Sequence, residues 1–406
     1  MTPHAPRPTP HAPRLAVFTP LPPSPSGIAQ YSAELLPLLA EWATLDVVIA
    51  DDAPAPEPMP DWATVRRAGE FNPEGYDALV YQVGNSPAHA HAIAWAEREP
   101  GVLVLHDVVL QHVQGWRALR GGAAAYRAEM ARRYGAAGAA AADALLANRP
   151  AGAPPGAFPL SEALVEASRA AIVHSRYARD LVLARTPGAA VTVVPHGVPL
   201  PPPGDRAAAR AALGLSAGAF VVAALGHLIP EKRLDVALDA FARVLYGLPA
   251  AREACFVIAG APSPHYSPAA YVRAHGLDPV VRQPGAVDAA TFAALLAAAD
   301  LCVNLRWPTG GETSGSLLRM LAAGRATLVS DAGSFAEVPD DACVKIPVGA
   351  GEVEAVVAAL WRAARDPAWA AGIGARARDF VAREHSLARA AAGYRAVLAA
   401  AGAAGT

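Results

Sequence analysis

Lysine is almost missing from this chain: Lys232 and Lys345 are the only two, so nearly all of its 34 basic residues are arginines. Against 36 acidic residues this leaves a formal net charge of −2, with no basic field for nucleic acid and no polybasic patch for a membrane surface. Cysteine is scarce too. Cys255, Cys302 and Cys343 lie in apolar, strand-like surroundings and form no Cys-x-x-Cys pair. Neither a disulfide framework nor a zinc site is expected, and a reducing, cytoplasmic setting fits best. No run of about 18 strongly apolar, uncharged residues occurs, which argues against a spanning helix; the 53% hydrophobic share owes much to alanine. The standard chemical signatures are also missing. There is no P-loop and no Gly-x-Ser-x-Gly elbow, and Gly372-Ile-Gly374 lacks the third glycine of a dinucleotide fingerprint. No Asp-x-Asp pair exists to grip a metal–diphosphate.

What is present is an alternation. At 406 residues the chain is too long for one ordinary core, and two domains are expected. Residues 1–14 carry a near-tandem Thr-Pro-His-Ala-Pro-Arg repeat and read as a disordered tail. Then Leu15–Phe18 reads as a strand, Pro20–Gly27 as a loop and Ile28–Trp42 as a helix. Further strands are expected at Leu45–Ala50, Tyr76–Val83, Val102–Leu105, Ala171–His174 and Val191–Val194, with helical stretches such as Ala88–Arg98, Ala123–Asn148 and Ser161–Ala170 between them. The proline run Pro199–Pro203 breaks all regular structure and marks the domain boundary. After it the alternation restarts with Val221–Leu225, Phe256–Gly260, Val280–Gln283, the run ending at Leu305, and Thr327–Ser330. Strands alternating with helices imply right-handed crossovers and doubly wound parallel sheets, whose ligands sit at the carboxyl ends of the strands. The expected organisation is an N-terminal domain over 15–198, a linker over 199–204, a second domain over 205–365 and terminal helices over 366–406.

Three places carry candidate chemistry. In Val303–Gly324 a buried strand gives way to a turn, one carboxylate (Glu312), the small residues Thr313, Ser314, Gly315 and Ser316, and a helix pattern with Leu317, Leu318 and Leu321 on one face. Strand, small polar loop and helix N-terminus together offer free backbone N–H groups to an anion, although a capped surface helix would read the same way. In Gly226–Arg233 a second strand exit leads through Lys232 and Arg233 into a helix. A chain so biased toward arginine that still places a lysine there has a use for a compact point charge; the alternative is a solvated charge pair on a helix end. His106-Asp107 follows the strand Val102–Leu105, where a histidine is either a site residue or a structural one.

In order, Ser26-Gly27, His106-Asp107, Pro195-His-Gly-Val198, Gly226–Arg233, Phe256–Gly260 and Ala299–Gly324 resemble the family 4 nucleotide-sugar glycosyltransferases over nearly the whole chain. The resemblance implies the α/β GT-B fold, two doubly wound Rossmann-like domains facing each other across a cleft. It implies a retaining, metal-independent hexosyltransferase-like enzyme with no cofactor. The C-terminal domain would bind the nucleotide-sugar and the N-terminal domain would present a hydroxyl-bearing acceptor, be it glycan, lipid-linked or small molecule. By position, Gly27 would approach the donor and Lys232, with Arg233 or His227, would hold the diphosphate. Ala286 and Val287 would line the base pocket, and His106 would lie near the transferred sugar. The terminal helices would cross back to the first domain. Many members carry two glutamates separated by seven residues; here Arg319 stands at the second position and Gly311, with Glu312 beside it, at the first. Glu312 is therefore expected to bind sugar hydroxyls, and Arg319 either to touch phosphate or to pair with Glu312 across two helical turns. The alternatives are a non-catalytic sugar-nucleotide-binding or partner subunit and, less favoured, a sugar-nucleotide epimerase. Peripheral membrane contact stays open.

Overall fold

A computed structural model describes residues 12–149, 156–249, 253–263 and 266–403. The chain divides into two compact units. The first takes the described residues up to Gly197, with Gly310–Thr313 and those from Leu387 on; the second takes Val198–Thr309 and Ser314–Ser386.

The first unit is built on β1 (Arg14–Phe18), β2 (Thr44–Ile49), β3 (Ala63–Arg67), β4 (Ala78–Val83), β5 (Val102–Leu105), β6 (Ala170–Val173) and β7 (Val191–Val193). They form one parallel sheet in the order β3-β2-β1-β4-β5-β6-β7. β4 and β5 are buried along their whole length, as a sheet with helices on both faces requires. β1 starts inside the stretch expected to be a tail, because the Arg14 amide donates to Asp77 Oδ2 at 2.7 Å and its guanidinium to Asp46 at 3.0 Å. The rest of that tail, up to residue 11, and most of the Arg149–Pro159 loop, residues 150–155, lie outside the described residues.

The second unit repeats the plan with β8 (Phe220–Leu225), β9 (Ala254–Ala259), β10 (Val281–Gly285), β11 (Leu301–Asn304), β12 (Thr327–Ser330) and β13 (Val344–Ile346). Its sheet is parallel, in the order β10-β9-β8-β11-β12-β13. Its main core packs Phe220, Val222 and Ala224 of β8 and Phe256 of β9 beneath Leu234, Leu238 and Phe241 of the helix Leu234–Leu245. In both units the strand order reverses beside the first strand, between β1 and β4 and between β8 and β11. These are the switch points where loops part and leave room for a ligand.

The terminal helices divide. Glu352–Arg365 and Pro367–Glu384 stay with the second unit, while Leu387–Leu398 belongs to the first. There Tyr394 is fully buried and its hydroxyl accepts from Tyr31 at 3.3 Å, under the helix Gly27–Ala40. No helix among the described residues is long and apolar enough to cross a membrane, and Cys255, Cys302 and Cys343 are free and buried.

Candidate functional site

In the second unit, the adjacent strands β8, β9 and β10 all run into glycine at their carboxyl ends. Gly226 N donates to the Ala259 carbonyl at 2.8 Å and Gly260 N to the Gly285 carbonyl at 2.7 Å. A Cβ on Gly260 would lie 2.1 Å from the Gly226 oxygen, so no other residue fits. At Gly226, with φ of +99°, a Cβ would lie 3.0 Å from Lys232 Nζ and 3.1 Å from Ser316. The glycine thus lets two elements close in on the β8 exit: the loop bearing Lys232 and the start of the helix Gly315–Ala322.

Lys232 ends a short 3-10 turn, Pro230–Lys232, and folds back over β8. It is 7% exposed, and Nζ donates to the Leu225 carbonyl at 2.9 Å. Burial, and then the positive charge of Arg306, lower its pKa to about 7. His227, on the same loop, is also lowered, by desolvation first and by Lys232 and Arg306 after it. From the neighbouring strand, Asn304 Nδ2 donates to Ser316 Oγ at 3.2 Å, and Ser314 and Ser316 hydroxyls lie 3.1 Å apart. Asn304 is 2% exposed, and its Oδ1 has no hydrogen-bond partner. Ser314 is the N-cap of the helix, accepting from Leu317 N at 3.2 Å, and Thr313 Oγ1 just ahead of it is buried without a hydrogen bond. A buried cation, two serine hydroxyls and a helix N-terminus thus meet at the switch point. The set is suited to oxygen-rich anions.

Arg233 is otherwise engaged. Its backbone is left-handed, with φ of 52°, and its Nη2 donates to Glu352 Oε2 at 2.6 Å. Glu352 is 2% exposed, so withdrawing the guanidinium would strand a buried carboxylate. Arg306, which the sequence reading passed over, is 8% exposed at the β11 exit. An arginine just past the end of an apolar strand is the same signal that singled out His106. Ala286 and Val287 follow β10 directly after Gly285, with Ala286 exposed and Val287 half-buried against the core.

The helix after β11 begins at Gly315, so Glu312 precedes it and does not share a helical face with Arg319. Two turns of helix therefore do not relate the pair. Glu312 Oε2 accepts from Gly310 N at 2.7 Å.

In the first unit, Gly27 opens the helix Gly27–Ala40 at the β1 exit, behind the N-cap Ser26. A Cβ there would meet nothing within 4 Å, so the protein's own packing does not require this glycine. His106 follows β5 and is 7% exposed. Its Nε2 lies 2.6 Å from Gln82 Oε1, and its Nδ1 lies 3.2 Å from His174 Nε2. His174 Nδ1 in turn donates to the Val194 carbonyl at 2.9 Å. Three bonds need three protons, whereas two neutral rings carry two. Turning the Gln82 amide over supplies the third, with its NH2 donating to His106 and its oxygen accepting from Tyr394. The neutral form is favoured: burial, followed by His174, His196 and His89, holds His106 well below the usual histidine range. Among the described residues no three His, Cys, Asp or Glu side chains converge to hold a metal. Asp107 Oδ2 accepts from Asn85 N at 2.7 Å.

Residues 219–366 match the family described as Glycosyl transferases group 1, a span that holds the whole β8–β11 arrangement. A stretch of 74 residues is 46% identical to a D-inositol 3-phosphate glycosyltransferase of Geodermatophilus obscurus, covering 18% of this chain and 16% of that relative's length. Among solved structures, sucrose-phosphate synthase from Thermosynechococcus elongatus superposes with a TM-score of 0.69 at 17% identity, covering 96% of this chain and 100% of that one. Anabaena Alr3699/HepE, in complex with UDP and glucose, superposes with a TM-score of 0.64 at 15% identity, covering 95% and 99%. At such identities the superpositions establish the fold. It is the two-domain α/β GT-B fold, and with the family match it supports a glycosyltransferase.

Proposed function

We propose that the protein moves a sugar from a nucleotide-sugar donor to an acceptor hydroxyl, with retention at the anomeric carbon and without a metal. The observation that carries this reading is Lys232, buried at the β8 exit, held on the Leu225 carbonyl and packed beside Gly226 and Ser316. A cation kept dry at a switch point is poised for an anion that arrives with the substrate, and a donor diphosphate is such an anion. The family match over the same residues supports the same class.

In this reading the second unit binds the donor. Lys232 and the amides at Ser314, Gly315 and Ser316, with Thr313 ahead of them, take the phosphates; the loop at Ala286 and Val287 takes the base. Glu312 faces sugar hydroxyls, and Arg319 supports either the phosphates or Glu312. Gly27 and His106 belong to the acceptor side, where both His106 nitrogens are already bonded, so His106 orients groups more readily than it exchanges protons. The bond between the anomeric carbon and the diphosphate oxygen breaks as the acceptor oxygen bonds on the same face, and the acceptor proton passes to the leaving phosphate oxygen. Positive potential fixed in a dry site stabilises that departing charge without reorganising. Lys232, its pKa lowered to about 7 by burial, takes a proton from solvent as the negatively charged donor enters, so the positive potential is in place before transfer begins.

The test is a panel of uridine, guanosine and adenosine diphosphate sugars, read by thermal shift and by nucleoside diphosphate release with mixed hydroxyl acceptors. The reading expects at least one donor to stabilise the protein and to be consumed faster with acceptor present. Stabilisation by none of them, or conversion of the donor without acceptor into an epimer, overturns it.

A further inference from the structure

Resting on the reading above, which gives the acceptor hydroxyl to the first unit, we propose that Ser26 binds that hydroxyl, and that His89 is the positioning residue that makes Ser26 a hydrogen-bond acceptor. Ser26 is the N-cap of the helix Gly27–Ala40, and its Oγ accepts from Ile28 N at 3.2 Å. His89 stands behind it, 1% exposed, with Nε2 3.5 Å from Ser26 Oγ. On the other side of the ring, Nδ1 lies 3.0 Å from the Gln82 carbonyl. A carbonyl only accepts, so Nδ1 carries the proton and Nε2 of the neutral ring keeps its lone pair. The ring is neutral, because burial lowers its pKa to about 4 although the Gln82 bond acts the other way. A Cβ on Gly84, at the β4 exit, would lie 2.3 Å from Ile28 Cδ1 and 3.2 Å from both His89 Nε2 and Asp107 Oδ2. The bare glycine lets the first helical turn, His89 and the segment after β5 come together.

The directions of these bonds follow from counting protons. Nε2 offers a lone pair and no proton, so the Ser26 hydroxyl gives its single proton inward to His89. One Ser26 lone pair takes the Ile28 N–H, and the other is left for a ligand. Ser26 is half-buried, and Gly27 beside it is exposed, with nothing of the protein within 4 Å of where its Cβ would be. A ligand entering there meets an acceptor. Asp107, whose Oδ2 accepts from Asn85 N, adds negative charge at the neighbouring exit. The arrangement suits an O–H and disfavours a phosphate or carboxylate oxygen, which would set lone pair against lone pair. The group bound at Ser26 is therefore an uncharged hydroxyl, as on a sugar or another polyol. Without His89 the Ser26 proton would be free to turn outward, and the preference would be lost.

Nitrogen-15 NMR of the histidine rings at neutral pH, with His89 assigned through a His89→Gln variant, tests the premise. It should show a neutral ring with its proton on Nδ1; a proton on Nε2 overturns the proposal. Steady-state transfer is then measured with the donor that the panel above selects and with glycerol, myo-inositol and methyl α-glucoside as acceptors. Ser26→Ala should raise the acceptor KM about tenfold. Its calorimetric affinity for the nucleoside diphosphate, expected in the second unit, should stay within twofold of wild type. Ser26→Thr, which keeps the hydroxyl, should bring KM back to within about threefold. A merely structural cap would lower the melting temperature and leave KM alone. An unchanged acceptor KM in Ser26→Ala therefore overturns the assignment and leaves the donor reading standing. A wild type that binds a donor but uses none of the three acceptors also overturns it, while failure to bind any donor removes both. If the alanine variant does not fold, Ser26→Gly, which keeps a good N-cap residue, takes its place with the same expectations.

Discussion

Replacing Lys232 with methionine removes the ammonium and keeps most of the apolar stem. In the folded chain the lysine's pKa falls from 10.5 to about 7. Below pH 7 both folded and unfolded chains carry the proton, and the folded state bears the full cost of a buried charge. Between pH 7 and 10.5 the unfolded chain binds a proton that the folded one does not, so stability from this group rises with pH, by up to about 1.4 kcal/mol per unit. Above 10.5 the cost is gone. The methionine variant lacks this slope. At pH 6 it should be more stable than wild type, by on the order of a few kcal/mol less the roughly 1 kcal/mol of the lost bond to the Leu225 carbonyl. Affinity for the donor diphosphate should move the other way, because one charged contact to phosphate is worth on the order of 2–4 kcal/mol. Urea denaturation at pH 6 and pH 9, alongside calorimetric titration with the nucleoside diphosphate, reads both quantities. The difference between the two proteins isolates the one group. A variant that is less stable at pH 6 and still binds the diphosphate normally would refute the reasoning, since Lys232 would then be a packing residue.

Gly27→Ala should leave stability unchanged or raise it by about 0.5–1 kcal/mol, because the new methyl group meets open space at the start of a helix. Sugar transfer should nevertheless fall at least tenfold if a substrate approaches the backbone there, and a steady-state assay beside a melting curve separates the two effects. Excess EDTA should leave transfer within twofold of the untreated rate, since Lys232 and the helix N-terminus supply the positive potential; complete loss restored by magnesium or manganese would count against this.

The alternation of elements was legible because parallel strands buried on both faces read as continuous apolar runs, as in β4, β8 and β9. β3 escaped for the opposite reason. Its sequence, Ala-Thr-Val-Arg-Arg, lies at a sheet edge with alternate residues exposed, and Val65 is its one strongly apolar residue. The long alanine-rich helix was found, but its break at Gly135, with φ of 61°, leaves no mark in a stretch where glycine and alanine mix freely. At the candidate site the strand exits and Lys232 were readable from loop position. The engagement of Arg233 with Glu352 was not, because it joins residues 119 apart. The supposed helical face shared by Glu312 and Arg319 failed on one boundary: Ser314, not Thr313 or an earlier residue, caps the helix. Nothing local marks the burial of Arg306, which comes from packing around the β11 exit.

The central claim is that the donor diphosphate sits at the β8 and β11 exits of the second unit. A crystal structure with the nucleoside diphosphate bound tests it most directly. The account expects phosphate oxygens within about 2.7–3.2 Å of Lys232 Nζ and of the amides opening the helix Gly315–Ala322. A diphosphate bound elsewhere, at the β1 exit near Gly27 for instance, with Lys232 still turned only to the Leu225 carbonyl, would contradict it.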